Sequence, residues 1–179
     1  MWPVPSLSVV YSASYHNRTS SFRMASQTAL RDFQHQPLIE TLTNFYNLLA
    51  EACYIQTSDI LLPPHGANFN PSLGATEGFS PSALTLLSQL PYLSEQCQTI
   101  SLNGDSTNPL SYLTDPFPDE DGDLSKGSWP DARDPTCLGD EEMKLPEHMV
   151  AITLGNLYGT WLIYDLESCA SPSILSQTF

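Results

Sequence analysis

Basic side chains are scarce in this chain of 179 residues: six Lys and Arg stand against twenty Asp and Glu, a net charge of −14. Such a balance repels phosphate backbones and anionic lipid surfaces, so nucleic acid is not an expected partner. No apolar run approaches the roughly 18–20 residues of a membrane span. Neither glycine-rich phosphate loop, G-x-G-x-x-G or G-x-x-x-x-G-K-[ST], occurs, and the G-x-S-x-G nucleophile elbow and the H-E-x-x-H zinc pattern are missing too. The four cysteines, Cys53, Cys97, Cys137 and Cys169, form no C-x-x-C pair. No zinc site is therefore expected, and the thiols are read as reduced, in an intracellular and cytoplasmic protein. "DEDGD" at 119–123 has its glycine at the fourth place of a calcium loop instead of the sixth, with Pro130 where the closing Glu belongs, so it is read as a solvated acidic run. These absences predict a protein with no metal and no cofactor.

What remains suits a single domain, since roughly 100–200 residues per domain is usual. The first 31 residues contain no acid and hold Arg18, Arg23 and Arg31. Residues 1–24 are read as a disordered leader, with a targeting segment as the alternative and Met24 as a second possible start. The domain proper is then 25–179. From Asp105 to Glu147, twelve acids face three bases among six prolines. That composition buries too little apolar surface to offset its ordering entropy, which predicts a mobile acidic insertion at about 105–145, with Trp129 and Phe117 able to dock back.

The fold class expected is α+β, with N-terminal amphipathic helices packed on a small antiparallel sheet that ends in a C-terminal hairpin. A short helix is expected over Ser26–Gln34. Pro37 then opens a longer one over 37–53, where Leu38, Ile39, Leu42, Phe45, Tyr46, Leu49 and Cys53 keep a three/four spacing. "YIQTSDILLPPHGANF" (54–69) turns extended, and the chain around Gly74 and Gly78 reads as irregular. Ser80-Pro81 is an N-cap followed by a first-turn proline, opening a helix that Pro91 stops. Near the C-terminus, Val150, Ile152 and Leu154 alternate with Ala151 and Thr153, and Thr160, Leu162, Tyr164 and Leu166 alternate with Trp161, Ile163 and Asp165. Pairing 154 with 160 puts Val150 opposite Tyr164. The Val150 face belongs to the core. The reverse face, with Ala151, Thr153, Trp161 and Ile163, is either covered by a helix or forms a pocket wall. Gly155 and Gly159 are explained as turn residues with positive φ.

Chemistry has few candidates. His65, in the proline-bounded loop "PPHGANF", and His148, beside Glu147 at the mouth of the hairpin, are the histidines able to move a proton; buried or capping roles are the ordinary alternative for both. Tyr158 is a third possible hydrogen-bond donor. Trp161, Phe69 and Tyr92 would line a cavity for an apolar small molecule, although each serves equally well as core.

The order of an amphipathic helix, "YIQTSDILLPP", "LTLLSQLPYL", an acidic stretch and "LPEHMVAITLGNLYGTWLIYDLES" resembles a group of fungal proteins of unassigned function, distantly similar in style to the cell-wall-assembly-regulator/SUKH superfamily. The likeness spans residues 37–168 with a gap at the acidic stretch. It implies a fungal source and an α+β domain, and it carries over no functional residue. Two functions follow. The first is a small-molecule-pocket protein, as a cofactor-free cyclase or isomerase acting through shape and hydrogen bonds. The second is a non-catalytic interaction module whose acidic insertion meets a basic protein partner. The pocket is placed slightly ahead, because a solvated loop already accounts for the acidic stretch.

Overall fold

In the computed structural model, residues 35–97, 100–102, 107–115, 117, 125–134, 144–155, 159–168 and 173–176 are described. The leader, the helix expected over Ser26–Gln34, the "DEDGD" run, Tyr158, Cys137 and Cys169 lie outside the described residues. The fold class is the expected one, α+β, built from short helices and small antiparallel sheets. No helix among the described residues is long and apolar enough to cross a membrane.

Pro37 does open α1 (Gln36–Glu51). His35 precedes it and, instead of capping the helix with its side chain, places Nδ1 2.9 Å from the Tyr164 hydroxyl. Leu42 and Tyr46 are the buried positions of the helix, and Leu38, Ile39 and Leu49 pack beside them. The far end closes on a residue that glycine usually supplies. Cys53 has φ +61°, its N–H donates to the Ala50 carbonyl at 3.0 Å, and the Tyr54 N–H reaches back to Leu49 at 2.9 Å.

Beyond α1, β1 (Ile60–Leu61) pairs antiparallel with β2 (Tyr92–Leu93). Between them lie two proline-started helices. The second, α3 (Pro81–Leu87), is the expected one, and the Ser80 hydroxyl accepts the Ala83 N–H at 3.2 Å. The first, α2 (Pro71–Thr76), replaces the irregular stretch expected around Gly74. Asn70 caps it by accepting the Leu73 N–H at 3.1 Å, and Gly78 at φ +86° ends it. Gly74 sits inside this helix because the Trp129 ring and Leu84 occupy the space a Cβ would take.

That contact revises the picture of 105–145. Within it, β3 (Thr107–Pro109) is a paired strand, and Leu110, Tyr112, Trp129, Ala132 and Leu145 belong to the main core. Trp129, 0% exposed, has Tyr112 at 5.0 Å, Phe79 at 5.4 Å and Phe69 at 5.6 Å between ring centroids. Acidic residues and apolar anchors alternate here, so the averaged composition hides the anchors.

The C-terminal hairpin keeps the expected register: in β4 (Met149–Ala151) and β6 (Thr160–Asp165), Val150 faces Tyr164 and Ala151 faces Ile163. Its first strand, however, changes partner at Ile152. The Ile152 N–H donates to Leu162 in β6 at 2.7 Å, while its carbonyl accepts from Leu110 at 3.1 Å. From there β5 (Thr153–Gly155) pairs with β3. Two threonine hydroxyls mend the β6 edge that this switch uncovers. Thr153 Oγ1 accepts the Leu162 N–H at 2.9 Å and donates to the Thr160 carbonyl at 2.8 Å, and Thr107 Oγ1 accepts the Thr160 N–H at 2.8 Å. A further strand, β7 (Ser173–Ser176), pairs with the other edge of β6. Both faces of the hairpin are covered: Val150, Ala151, Ile152, Trp161, Ile163 and Tyr164 are all buried.

Replacing Trp129 by alanine removes one of the two largest fully buried side chains and should cost about 3–5 kcal/mol. A fall in the urea midpoint at unchanged slope checks this; a midpoint within error of the parent would mean that the 125–134 segment does not anchor the core.

Candidate functional site

Of the groups nominated for chemistry or for lining a cavity, His65, Tyr92 and Trp161 each have a polar atom held by a backbone carbonyl. His65 follows Pro64 and starts a single 3-10 turn, Gly66–Asn68. Its Nε2 lies 2.8 Å from the Leu90 carbonyl; since a carbonyl only accepts, Nε2 is the donor. The ring also packs 5.0 Å from Tyr92. Tyr92 is buried, and its hydroxyl donates to the Leu87 carbonyl at 2.6 Å. Desolvation, with a smaller contribution from Tyr112, pushes its ionisation well above the ordinary phenol value, so it stays a neutral donor. Phe69 is half-buried, bridged to Leu113, with its ring against Trp129. These three therefore belong to one aromatic neighbourhood, together with Tyr112 and Phe79.

Trp161 is only 1% exposed, and its indole N–H donates to the Gly155 carbonyl at 2.9 Å. The glycine at 155 has a different cause from the expected one. It lies outside the positive-φ residues; a Cβ there would stand 2.6 Å from Trp161 Cδ1 and 2.8 Å from the Gly159 backbone. Close approach of the indole, rather than a left-handed turn, requires the missing side chain.

His148 occupies a separate place at the hairpin entrance. It is half-exposed, with Nε2 3.7 Å from Asp165 and Nδ1 3.8 Å from Glu167. Burial raises the Asp165 carboxyl, but the N–H groups of Glu167 and Ser168, the Ser168 hydroxyl and His148 outweigh it and hold Asp165 below the usual carboxylate range. Of the six nominated residues, His65, Tyr92 and Phe69 are thus brought together, His148 and Trp161 have other surroundings, and Tyr158 is outside the described residues.

Some groups that matter were not legible as such. Arg133, from the acidic stretch "DARDP", donates Nη1 to the carbonyls of Glu77 at 2.7 Å and Gly78 at 2.9 Å, and Nε to Leu145 at 3.0 Å, with Nη2 on the same Leu145 carbonyl. Its guanidinium lies 5.7 Å from the Phe79 centroid. It clamps the end of α2 to the segment entering the hairpin. Cys97, buried beside Asp59 and Ser94, has its thiol pushed up chiefly by desolvation. Asp59 itself is held low, first by the Gln56 N–H. Among the described residues, no group of three or more His, Cys, Asp or Glu is arranged to hold a metal ion.

The described geometry is that of an α+β domain in which His65, Tyr92, Tyr112 and Trp161 face backbone carbonyls. Compared with models of known families, with curated proteins and with solved structures, the chain matches none.

Arg133→Met should destabilise the domain by about 3 kcal/mol, since three backbone carbonyls lose a charged donor. Arg133→Lys should restore less than half of this, because an ammonium cannot span the fork. Thermal unfolding of the two variants beside the parent tests both statements. Asp165 gives a pH test: a depressed folded value means stability present above the unfolded value of 3.8 and lost as pH falls through the folded one. Asp165→Asn should accordingly flatten the acid limb of stability against pH, measured by urea titration below about pH 5, while an unchanged limb would assign acid sensitivity elsewhere.

Proposed function

We propose that this protein is a non-catalytic interaction module that binds basic partners. One observation carries the reading: the charge of the chain is strongly one-sided. Of the twenty acidic and six basic residues, Asp32, Arg18, Arg23 and Arg31 precede His35, leaving nineteen acids against three bases. Of those bases, Arg133 is directed at backbone carbonyls and Lys126 lies 4.0 Å from Glu77. Such a field raises encounter rates with cationic surfaces and disfavours nucleic acid.

The pocket reading has less support. Of the residues that would line or serve it, Trp161 and Tyr92 are buried, and Trp161, Tyr92 and His65 each have a polar atom bonded to a backbone carbonyl, that of Gly155, Leu87 or Leu90. The acidic stretch also has a role beyond display, since Trp129 and Arg133 anchor it to the core.

Peptides selected from an unbiased displayed library against the full chain test the proposal. Lys/Arg-rich sequences should be enriched, and their affinity should fall more than ~10-fold as NaCl rises from about 50 mM to about 300 mM. Selected peptides without basic enrichment, or with salt-insensitive affinity, would reject it.

A further inference from the structure

The outer surface of α1 carries a second apolar pattern that the core does not use. Leu42 and Tyr46 face inward. Thr41, Phe45 and Leu48 on the helix, and Ala52 at its C-cap, are exposed instead, with Phe45 36% and Leu48 59% accessible. Their spacing is four, three, four, which is the a/d repeat of a helix–helix seam and not the wider stripe of a helix resting on a globular core. The Thr41 hydroxyl is already bonded within the helix, to the Pro37 carbonyl at 2.7 Å, so it asks nothing polar of a partner. Tyr54, 73% exposed, follows directly after the helix has closed at Cys53. Other exposed large apolar residues, Leu62 and Phe117, belong to no such series.

Charge along this helix selects the occupant. Glu40 and Glu51 are its ionised residues, and no base accompanies them. Glu51 stands in the last turn, where the helix dipole already places partial negative charge and where a cation would be favoured. On the heptad set by Phe45 and Leu48, Glu51 and Asn44 fall on the flanking g row, the row that chooses partners by charge. A second copy of this chain would bring the same Glu40 and Glu51 and the same net negative body, so like charges would meet. A helix with lysine or arginine flanks meets the opposite sign.

Resting on the module reading above, we propose that the stripe of Thr41, Phe45, Leu48 and Ala52 is the docking seam, and that it takes one amphipathic helix with basic flanks. The seam spans about 16 Å, so three turns of a partner suffice. Phe45 and Leu48 supply the buried contact, and Glu51 supplies orientation and salt dependence.

The test uses the full chain and a labelled synthetic peptide of about three heptads, with leucine at a and d and lysine at e and g. Lysine on both flanks keeps the peptide from pairing with itself. Fluorescence anisotropy should show binding that Phe45→Ala and Leu48→Ala each weaken at least ~10-fold. Glu51→Lys should weaken it and reduce its salt dependence, whereas Leu62→Ala should leave it unchanged. Because all four substitutions are at exposed positions, an unaltered melting temperature accompanies a supporting result. Equal binding by a counter-peptide with glutamate at e and g would overturn the proposal. So would sedimentation showing Leu48-dependent self-association, which gives the face to a second copy. Salt-sensitive binding that survives both alanine substitutions rejects the seam and keeps the module; failure of every basic peptide to bind rejects both.

Discussion

The indole of Trp129 rests on the bare backbone of Gly74, and most of the domain is arranged around that contact. One residue of α2 must lack a side chain, and one residue of an otherwise charged stretch must be large and flat. Phe69, Phe79 and Tyr112 then close around the indole at centroid distances suited to edge-on and tilted ring contacts. The Trp129 N–H lies among these rings as a buried donor without a hydrogen-bond partner among the described residues, at a cost of about 1–3 kcal/mol relative to a satisfied group. Apolar burial and ring contact must exceed that cost, which makes this region a matter of packing rather than polar recognition. Arg133, four residues further on, fixes the same segment from its rim by reaching the end of α2 and the approach to the hairpin at once.

The elements that could be read from residue patterns are those whose reason is local. Pro37 and Ser80-Pro81 announce helix starts because their missing N–H and side-chain oxygen act within one turn. Alternation across 150–154 and 160–166 determines which residues face one another, so the Val150–Tyr164 pairing followed. What escaped has a reason elsewhere in the chain. α2 is only six residues and contains a glycine, so neither periodicity nor propensity marks it; its glycine answers to Trp129, more than fifty residues later. The switch at Ile152 depends on Leu110 and Thr107, which composition had assigned to an insertion. Among the nominated residues, types were informative and roles were not. His65, Tyr92 and Trp161 each have a polar atom, but only the folded backbone shows that a carbonyl waits for it.

These internal bonds bear on function. A site that performs chemistry usually leaves polar groups free to meet a substrate. Here Tyr92, Tyr112, Trp161 and His65 all contact backbone oxygens, and burial keeps the Tyr92 and Tyr112 hydroxyls protonated. These four side chains hold elements of the fold in place. On the outer surface of α1, Phe45 and Leu48 stay exposed.

The change of partner at Ile152 also bears on how the protein breathes. One continuous segment, 149–155, is hydrogen-bonded to β6 through its first half and to β3 through its second. Neither small sheet can peel away without straining its neighbour, so the two form a single cooperative unit although they share no common ladder. Slow amide exchange should accordingly be shared by the paired residues of β3, β4, β5 and β6, and the seams of this domain lie elsewhere.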